Sequence, residues 1–319
     1  MLLVGFIFAL VSSQLAAVAA FPMLKWHSRT RAWTLVLLAI PIALSPLWIP
    51  APAAFIRLLA TLNATALLVK LYDIHVSAKL GRRPSWREFL CFLPNFFSVV
   101  WRRLGQEPRY PRHENFARFG IALGKTAIAG AVLIWLFRRD WGQVPWFVEH
   151  AFKVVVFFLF LIPGSSALVA VWRLAGGRAR EFMDAPLLAW TPAEFWRRYN
   201  RPAQQFFYED VFKRAGGLRS PGRAILTTFV VSAVVHEYFF GIILGRIQGY
   251  QTVFFLLQGA GVAATWRSRP GRTPYWAWVT ATWIFNLATS VLFFASVNEV
   301  VPFYAQPLPP WLANWGTAK

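Results

Sequence analysis

The chain has 319 residues, of which 57% are hydrophobic and only 14% charged, with a mean hydropathy of +0.46. About a quarter of a soluble domain is charged, so this composition excludes one and indicates a membrane protein. The formal charge of +20 does not indicate nucleic acid, because the Lys and Arg residues fall in short clusters between apolar runs rather than in one stripe or tail.

A single cysteine, Cys91, excludes an internal disulfide and is expected to be buried and structural, and no CxxC or His/Cys cluster suggests a metal site. Membrane-spanning helices need about 17–25 apolar residues. Runs of that kind lie near 2–21, 33–50, 53–72, 117–137, 149–172, 223–245, 251–266 and 276–298, which predicts about eight transmembrane helices in an all-α polytopic protein. The first run ends in LAAVAA, which looks like a cleavage site, but no basic stretch precedes it and Lys25, Arg29 and Arg31 follow it. An uncleaved helix with its N-terminus outside is therefore expected. Between the third and fourth runs, REFLCFLPNFFSVVW (87–101) is too short and too broken by Pro94 to span simply. It reads as an interfacial or re-entrant helix, opened by Ser85 with Glu88 three residues on.

With the N-terminus outside, the loops facing the cytosol hold 23 basic residues and those facing away hold five. That asymmetry predicts a multi-pass protein of a bacterial inner or ER-type membrane with both termini outside the cytosol. Trp26, Trp48, Trp101, Trp141 and Trp266 fall near predicted interfaces and read as belt anchors. His75 reads as part of a salt-bridged helix end, and His27, His113 and His150 as loop or interface residues. No repeat or low-complexity linker divides the chain, so residues 1–319 are taken as one integral-membrane domain.

The longest loop predicted to be cytosolic contains TPAEFWRRYNRPAQQFF. Thr191 with Glu194, and Pro192 between them, form a helix start. Phe195, Trp196 and Tyr199 make an aromatic side and Arg197, Arg198 and Arg201 a basic one, so this helix is expected at the membrane surface. Pro202 breaks it after Asn200. Ser220 and Pro221 then open the segment containing SAVVHEYFF, where His236 and Glu237 lie inside an apolar run. Ionisable residues at that depth are rare and usually functional, although a lone histidine can also serve as an interhelical hydrogen-bonding group. HExxH zinc chemistry is excluded, because position 240 is Phe240.

FWRRYN, followed 36 residues later by the histidine of SAVVHEYFF, resembles the paired signature of the membrane-bound O-acyltransferase (MBOAT) superfamily. The paired motifs resemble its wax synthase and diacylglycerol acyltransferase branches, and DAPLLAWTPAEFW (184–196) resembles the wax synthase branch in particular. The motif core covers about 180–300, and Tyr199 stands where eukaryotic members commonly have tryptophan. The resemblance implies that His236 is catalytic with Asn200 as its companion, and that Gln258 in FFLLQGAGV is a polar tunnel residue. It also implies acyl-CoA as co-substrate, no separate cofactor, a lipid or long-chain alcohol acceptor and membrane lipids as surroundings. Self-association into a homo-oligomer is compatible with this reading and not fixed by it.

Acyl transfer from a thioester to a hydroxyl needs a neutral base within hydrogen-bond reach of that hydroxyl, which suits His236. Asn200 cannot take the proton but can donate to the thioester carbonyl. Glu237 points about 100° away around the helix, so it is either a buried acid paired with a basic residue or tyrosine of a neighbouring helix or a direct participant. Ser232, one turn below His236, is better placed to orient the ring. Trp196, Arg197, Arg198, Arg201, Ser232, Glu237 and Gln258 are the expected substrate-binding set, with the arginines facing the phosphates of coenzyme A. Two other functions stay open: an MBOAT-type enzyme acylating an extracytoplasmic polymer or glycan, and a proton-coupled transporter using His236 and Glu237. The second would need further ionisable groups at mid-membrane depth, for which only Lys125 and Lys153 are candidates.

Overall fold

A computed structural model describes residues 2–269, 271 and 274–315. Among them there is no strand, and the helices in chain order are α1 Leu2–Ala19, α2 Ser28–Leu44, α3 Ala54–Lys79, α4 Trp86–Phe92, α5 Trp101–Leu104, α6 Arg112–Arg138, α7 Trp146–Leu174, α8 Pro192–Arg198, α9 Arg201–Phe206, α10 Pro221–Leu244, α11 Tyr250–Thr265, α12 Tyr275–Val300 and α13 Pro310–Ala313. Seven of these segments, containing α1, α2, α3, α6, α7, α10 and α12, are long and apolar enough to cross a membrane. The protein is a polytopic, all-helical integral membrane protein. Arg272 and Lys319, both counted in the basic asymmetry, lie outside the described residues.

The seventh predicted span, 251–266, forms α11, which has only 16 residues and rises about 24 Å, short of the ~30 Å hydrocarbon core. Its start explains the length. The carboxylate of Glu237, roughly two-thirds of the way along α10, accepts the backbone N–H groups of Gly249 (3.3 Å) and Thr252 (2.9 Å) and the Thr252 hydroxyl (3.1 Å). A helix that begins beside the middle of its predecessor exposes unpaired N–H groups to an apolar setting, where each is costly. Glu237 supplies the acceptors and a charge suited to a helix N-terminus. Farther along α11, Gly259 lies so close to Phe229 of α10 that an added Cβ would sit 2.8 Å from the phenylalanine Cβ.

The chain divides into two compact units. The first comprises Met1–Glu107 with Tyr238–Ile247. In it α1 and α3 join through Gln14, Asn63 and Ser13, and Arg31 donates to His75 Nδ1 at 3.2 Å. His75 is thus a buried acceptor for an arginine. Lys70 and Asp73 of α3, both fully buried, hold the segment that follows. Lys70 Nζ donates to the carbonyls of Phe92 (2.9 Å) and Leu93 (2.6 Å), and Asp73 accepts from the Trp101 N–H and Arg102 Nε, both at 2.6 Å. The capping box read from Ser85 and Glu88 is present at the start of α4. Cys91 is exposed, contrary to the sequence expectation, because α4 turns Phe89 and Phe92 inward and residue 91 falls on the other side.

The second unit comprises Pro108–Glu237 with Gln248–Lys319 and contains the cavity described below. His150, expected in a loop or at an interface, is buried in α7. Its Nε2 meets the Leu287 carbonyl (3.0 Å) and the Ser290 hydroxyl (3.2 Å), and its Nδ1 meets the Tyr304 hydroxyl (2.7 Å). A carbonyl can only accept, so Nε2 carries the proton and Nδ1 accepts from Tyr304. Burial and the Glu149 carboxylate push the Tyr304 phenol well above its ordinary pKa, which keeps it a donor. Lys153 pairs with Glu149 at 2.5 Å and donates to the Phe303 carbonyl, while Glu149 also accepts from the Ala305 N–H. These bonds fix the chain after α12 onto α7. Trp141 is buried rather than a belt anchor, its indole donating to the Leu136 carbonyl.

Candidate active site

The helix start predicted at Thr191 forms as read: the Thr191 hydroxyl accepts from the Glu194 N–H, and the Glu194 carboxylate accepts from the Trp190 N–H. α8 ends at Arg198 and the chain turns at Asn200, whose backbone is left-handed with φ of 42°, a conformation asparagine tolerates better than other non-glycine residues. Its side-chain oxygen then accepts from the Ala203 N–H and caps α9. Residues 182–185 brace the corner, with the Asp184 N–H donating to the Arg198 carbonyl and the Arg201 N–H to the Phe182 carbonyl, each at 2.9 Å. One residue therefore turns the chain between the two helices, caps the second and keeps its amide N–H groups for another acceptor.

Asn200 and His236 line the same cavity, of about 420 Å³, within the usual range of ~300–1,000 Å³ for ligand pockets. Its walls come from α7, α8, α9, α10, α11 and α12 and from the π-helical turn Phe207–Phe212 that continues α9. Aromatic side chains dominate. On α12 the lining runs from Thr282 to Phe294, and along α11 and its C-cap from Phe254 to Trp266, about 18 Å in each case at the helical rise. The space is elongated and mostly apolar, the form an aliphatic chain requires.

His236 presents its Nδ1 to the Ser232 carbonyl at 2.8 Å. Because the carbonyl can only accept, Nδ1–H is the donor and Nε2 is left as the basic nitrogen of the neutral ring. Ser232 does orient the ring, as its position predicted, but through its backbone carbonyl. The ring packs on Phe255 of α11 at a centroid distance of 4.2 Å. Phe255 was not singled out in the sequence, where an aromatic in an apolar run carries no distinguishing signal.

Trp196 and Gln258 meet directly. The indole donates to Gln258 Oε1 at 2.8 Å, and Gln258 Nε2 donates to the Thr289 hydroxyl at 2.7 Å, so three elements are pinned at the wall. The aromatic side of α8 thus faces the cavity: Trp196 also packs edge-on against Phe229, and Tyr199 stacks on Phe195. The amphipathic reading of this helix is refined: its aromatic side meets protein, because Gln258, the bonding partner of Trp196, is buried. Trp266, read as a belt anchor, lines the cavity too. Burial pushes the Tyr199 phenol up to about 12, so it stays neutral under working conditions.

The arginines differ from one another. Arg198 bonds Glu194 at 2.7 Å and the Ala185 carbonyl, and Arg201 lies 3.8 Å from Asp184. Arg197 lines the cavity with its side chain 70% exposed and only a 3.3 Å approach to Glu194. Glu237 is absent from the cavity lining and engaged with the start of α11. The helix neighbour expected for it is there, but as backbone N–H groups and a threonine rather than a basic residue or tyrosine. Among the described residues no group of three or more His, Cys, Asp or Glu could hold a metal ion.

The chain is 33% identical over 79 residues to "Probable sterol O-acyltransferase 2" of Schizosaccharomyces pombe, a stretch covering 25% of this chain and 17% of that protein. Residues 129–298, just over half of the chain and nearly all of the cavity wall, match the MBOAT, membrane-bound O-acyltransferase family. With the FWRRYN asparagine and the SAVVHEYFF histidine on one cavity inside that matched region, the chain belongs to the membrane-bound O-acyltransferase family.

Proposed function

We propose that this enzyme transfers a fatty acyl group from acyl-CoA to the hydroxyl of a lipid or long-chain alcohol, with His236 as general base and Asn200 as donor to the thioester carbonyl. The carrying observation is that both residues line one elongated apolar cavity while the Ser232 carbonyl holds the imidazole with Nε2 unprotonated. The acceptor oxygen attacks the thioester carbon as its proton passes to Nε2, and the Asn200 amide stabilises the charge that develops on the carbonyl oxygen. The carbonyl then re-forms, the carbon–sulfur bond breaks, and the imidazolium returns the proton to the departing thiolate. Ester and free coenzyme A result, and the scheme balances without a further cofactor.

Arg197 is the cation best placed for the phosphates of the donor, being exposed and on the cavity, whereas Arg198 and Arg201 serve mainly to hold the Asn200 corner. The basic asymmetry supports a cytosolic loop from Arg173 to Arg219, the side on which acyl-CoA is found. The name of the fission-yeast relative favours a second acceptor, a sterol. Incubating the protein in lipid with radiolabelled acyl-CoA and, separately, long-chain alcohol, diacylglycerol or sterol tests these readings. Labelled ester with one lipid acceptor is expected. Consumption of acyl-CoA with no labelled lipid product would point to a polymer acceptor instead.

A further inference from the structure

The segment between α3 and α6 has two opposed faces. Inward, Phe89, Phe92, Leu93 and Val100 are fully buried, and Lys70 and Asp73 grip its backbone as described. Outward, α4 exposes Trp86 (47%) and Leu90 (39%), and Phe96 beyond it is 47% exposed. Trp86 and Leu90 are four residues apart and share one side of the helix. The next stripe holds Arg87 and Cys91, and Arg82 and Arg83 lie exposed just before the helix. Among the described residues no acid forms an ion pair with Arg82, Arg83 or Arg87, and the acid nearest in sequence, Glu88, is occupied by the Ser85 N–H and hydroxyl.

Exposed apolar rings beside unpaired guanidinium groups, on a segment held rigid from behind, match the boundary between lipid tails and phosphates. A guanidinium presents two parallel N–H groups to a phosphodiester, and anionic headgroups add net attraction. We propose that residues 82–96 form a docking surface for anionic phospholipid headgroups, with Trp86, Leu90 and Phe96 in the acyl boundary and Arg82, Arg83 and Arg87 on the phosphates. This surface lies entirely within the first compact unit, and none of its residues is among those that line the cavity.

Cys91, the sole cysteine and exposed on this surface, is a ready reporter. The full chain carrying a fluorophore at Cys91 is placed in phosphatidylcholine nanodiscs with a small fraction of nitroxide-labelled phosphatidylglycerol or, separately, nitroxide-labelled phosphatidylcholine. Since each cation near an anionic surface favours it about fivefold, quenching should be several-fold stronger with the anionic lipid and should weaken as salt is added. The triple variant Arg82→Gln, Arg83→Gln, Arg87→Gln should bring the two lipids to parity, while the corresponding Arg→Lys variant should keep the preference. Equal quenching by both lipids in the unmodified protein overturns the proposal, as does a preference that survives the glutamine variant. Absence of quenching by either lipid overturns it too, as does self-quenching between labels on two copies of the chain, because the surface would then face water or another protomer. Should the glutamine variant lose quenching by both lipids through local unfolding, the lysine variant decides: retained preference supports the proposal and parity rejects it.

Discussion

The proposed mechanism gives Asn200 two separable duties, and its chemistry allows them to be tested apart. The side-chain oxygen caps α9 through the Ala203 N–H, and the proposal assigns the amide N–H groups to a substrate carbonyl. Aspartate keeps the cap and tolerates the left-handed backbone but cannot donate when ionised. Asn200→Asp should therefore fold like the parent and lose turnover by about 10²-fold or more, as removal of an oxyanion donor does. Steady-state rates alongside thermal unfolding check this; near-parental turnover in Asn200→Asp would assign the residue to the cap alone. FWRRYN marked the position in the sequence, but the left-handed corner and the braces from residues 182–185 were invisible there, because they depend on partners outside the motif. His150 was misread for a related reason. Its acceptors and donor come from residues 137 to 154 positions away.

At the scale of elements, α11 decides how the site closes, since it carries both Phe255 against His236 and Gln258 against Trp196. Its N-terminus depends on Glu237. The spans of α1, α2, α3, α6, α7, α10 and α12 were legible because sustained apolar runs of that length have few alternatives in water or lipid. The 251–266 run passed the same reading although it begins part-way along its neighbour, a tertiary fact that hydropathy does not carry. Glu237→Gln keeps one acceptor and loses the charge at the helix start. It should lower stability by about 0.5–2 kcal/mol, the usual worth of a cap, with turnover per folded molecule within a few-fold of the parent. Thermal unfolding in lipid measured together with active-site-normalised rates tests this. Unchanged stability with turnover abolished would make Glu237 a participant in the reaction.

For the whole molecule, composition gave the solvent and loop charge predicts an orientation, while the two-unit division and the cavity emerged only from the folded chain. The proposed orientation predicts that native Cys91 and an introduced cysteine at the exposed Leu218 (in a Cys91→Ser chain) are inaccessible to an impermeant thiol reagent in intact cells and reactive after permeabilisation. Labelling of either from outside would reverse the assignment of sides. The central claim is that His236 removes the proton from the acceptor hydroxyl inside the shared cavity. The most direct measurement is acyl transfer by His236→Ala in lipid, with acyl-CoA binding measured on the same preparation. Loss of transfer by about 10²- to 10⁴-fold with binding nearly intact is the predicted result, and near-parental transfer by a well-folded His236→Ala protein would contradict it.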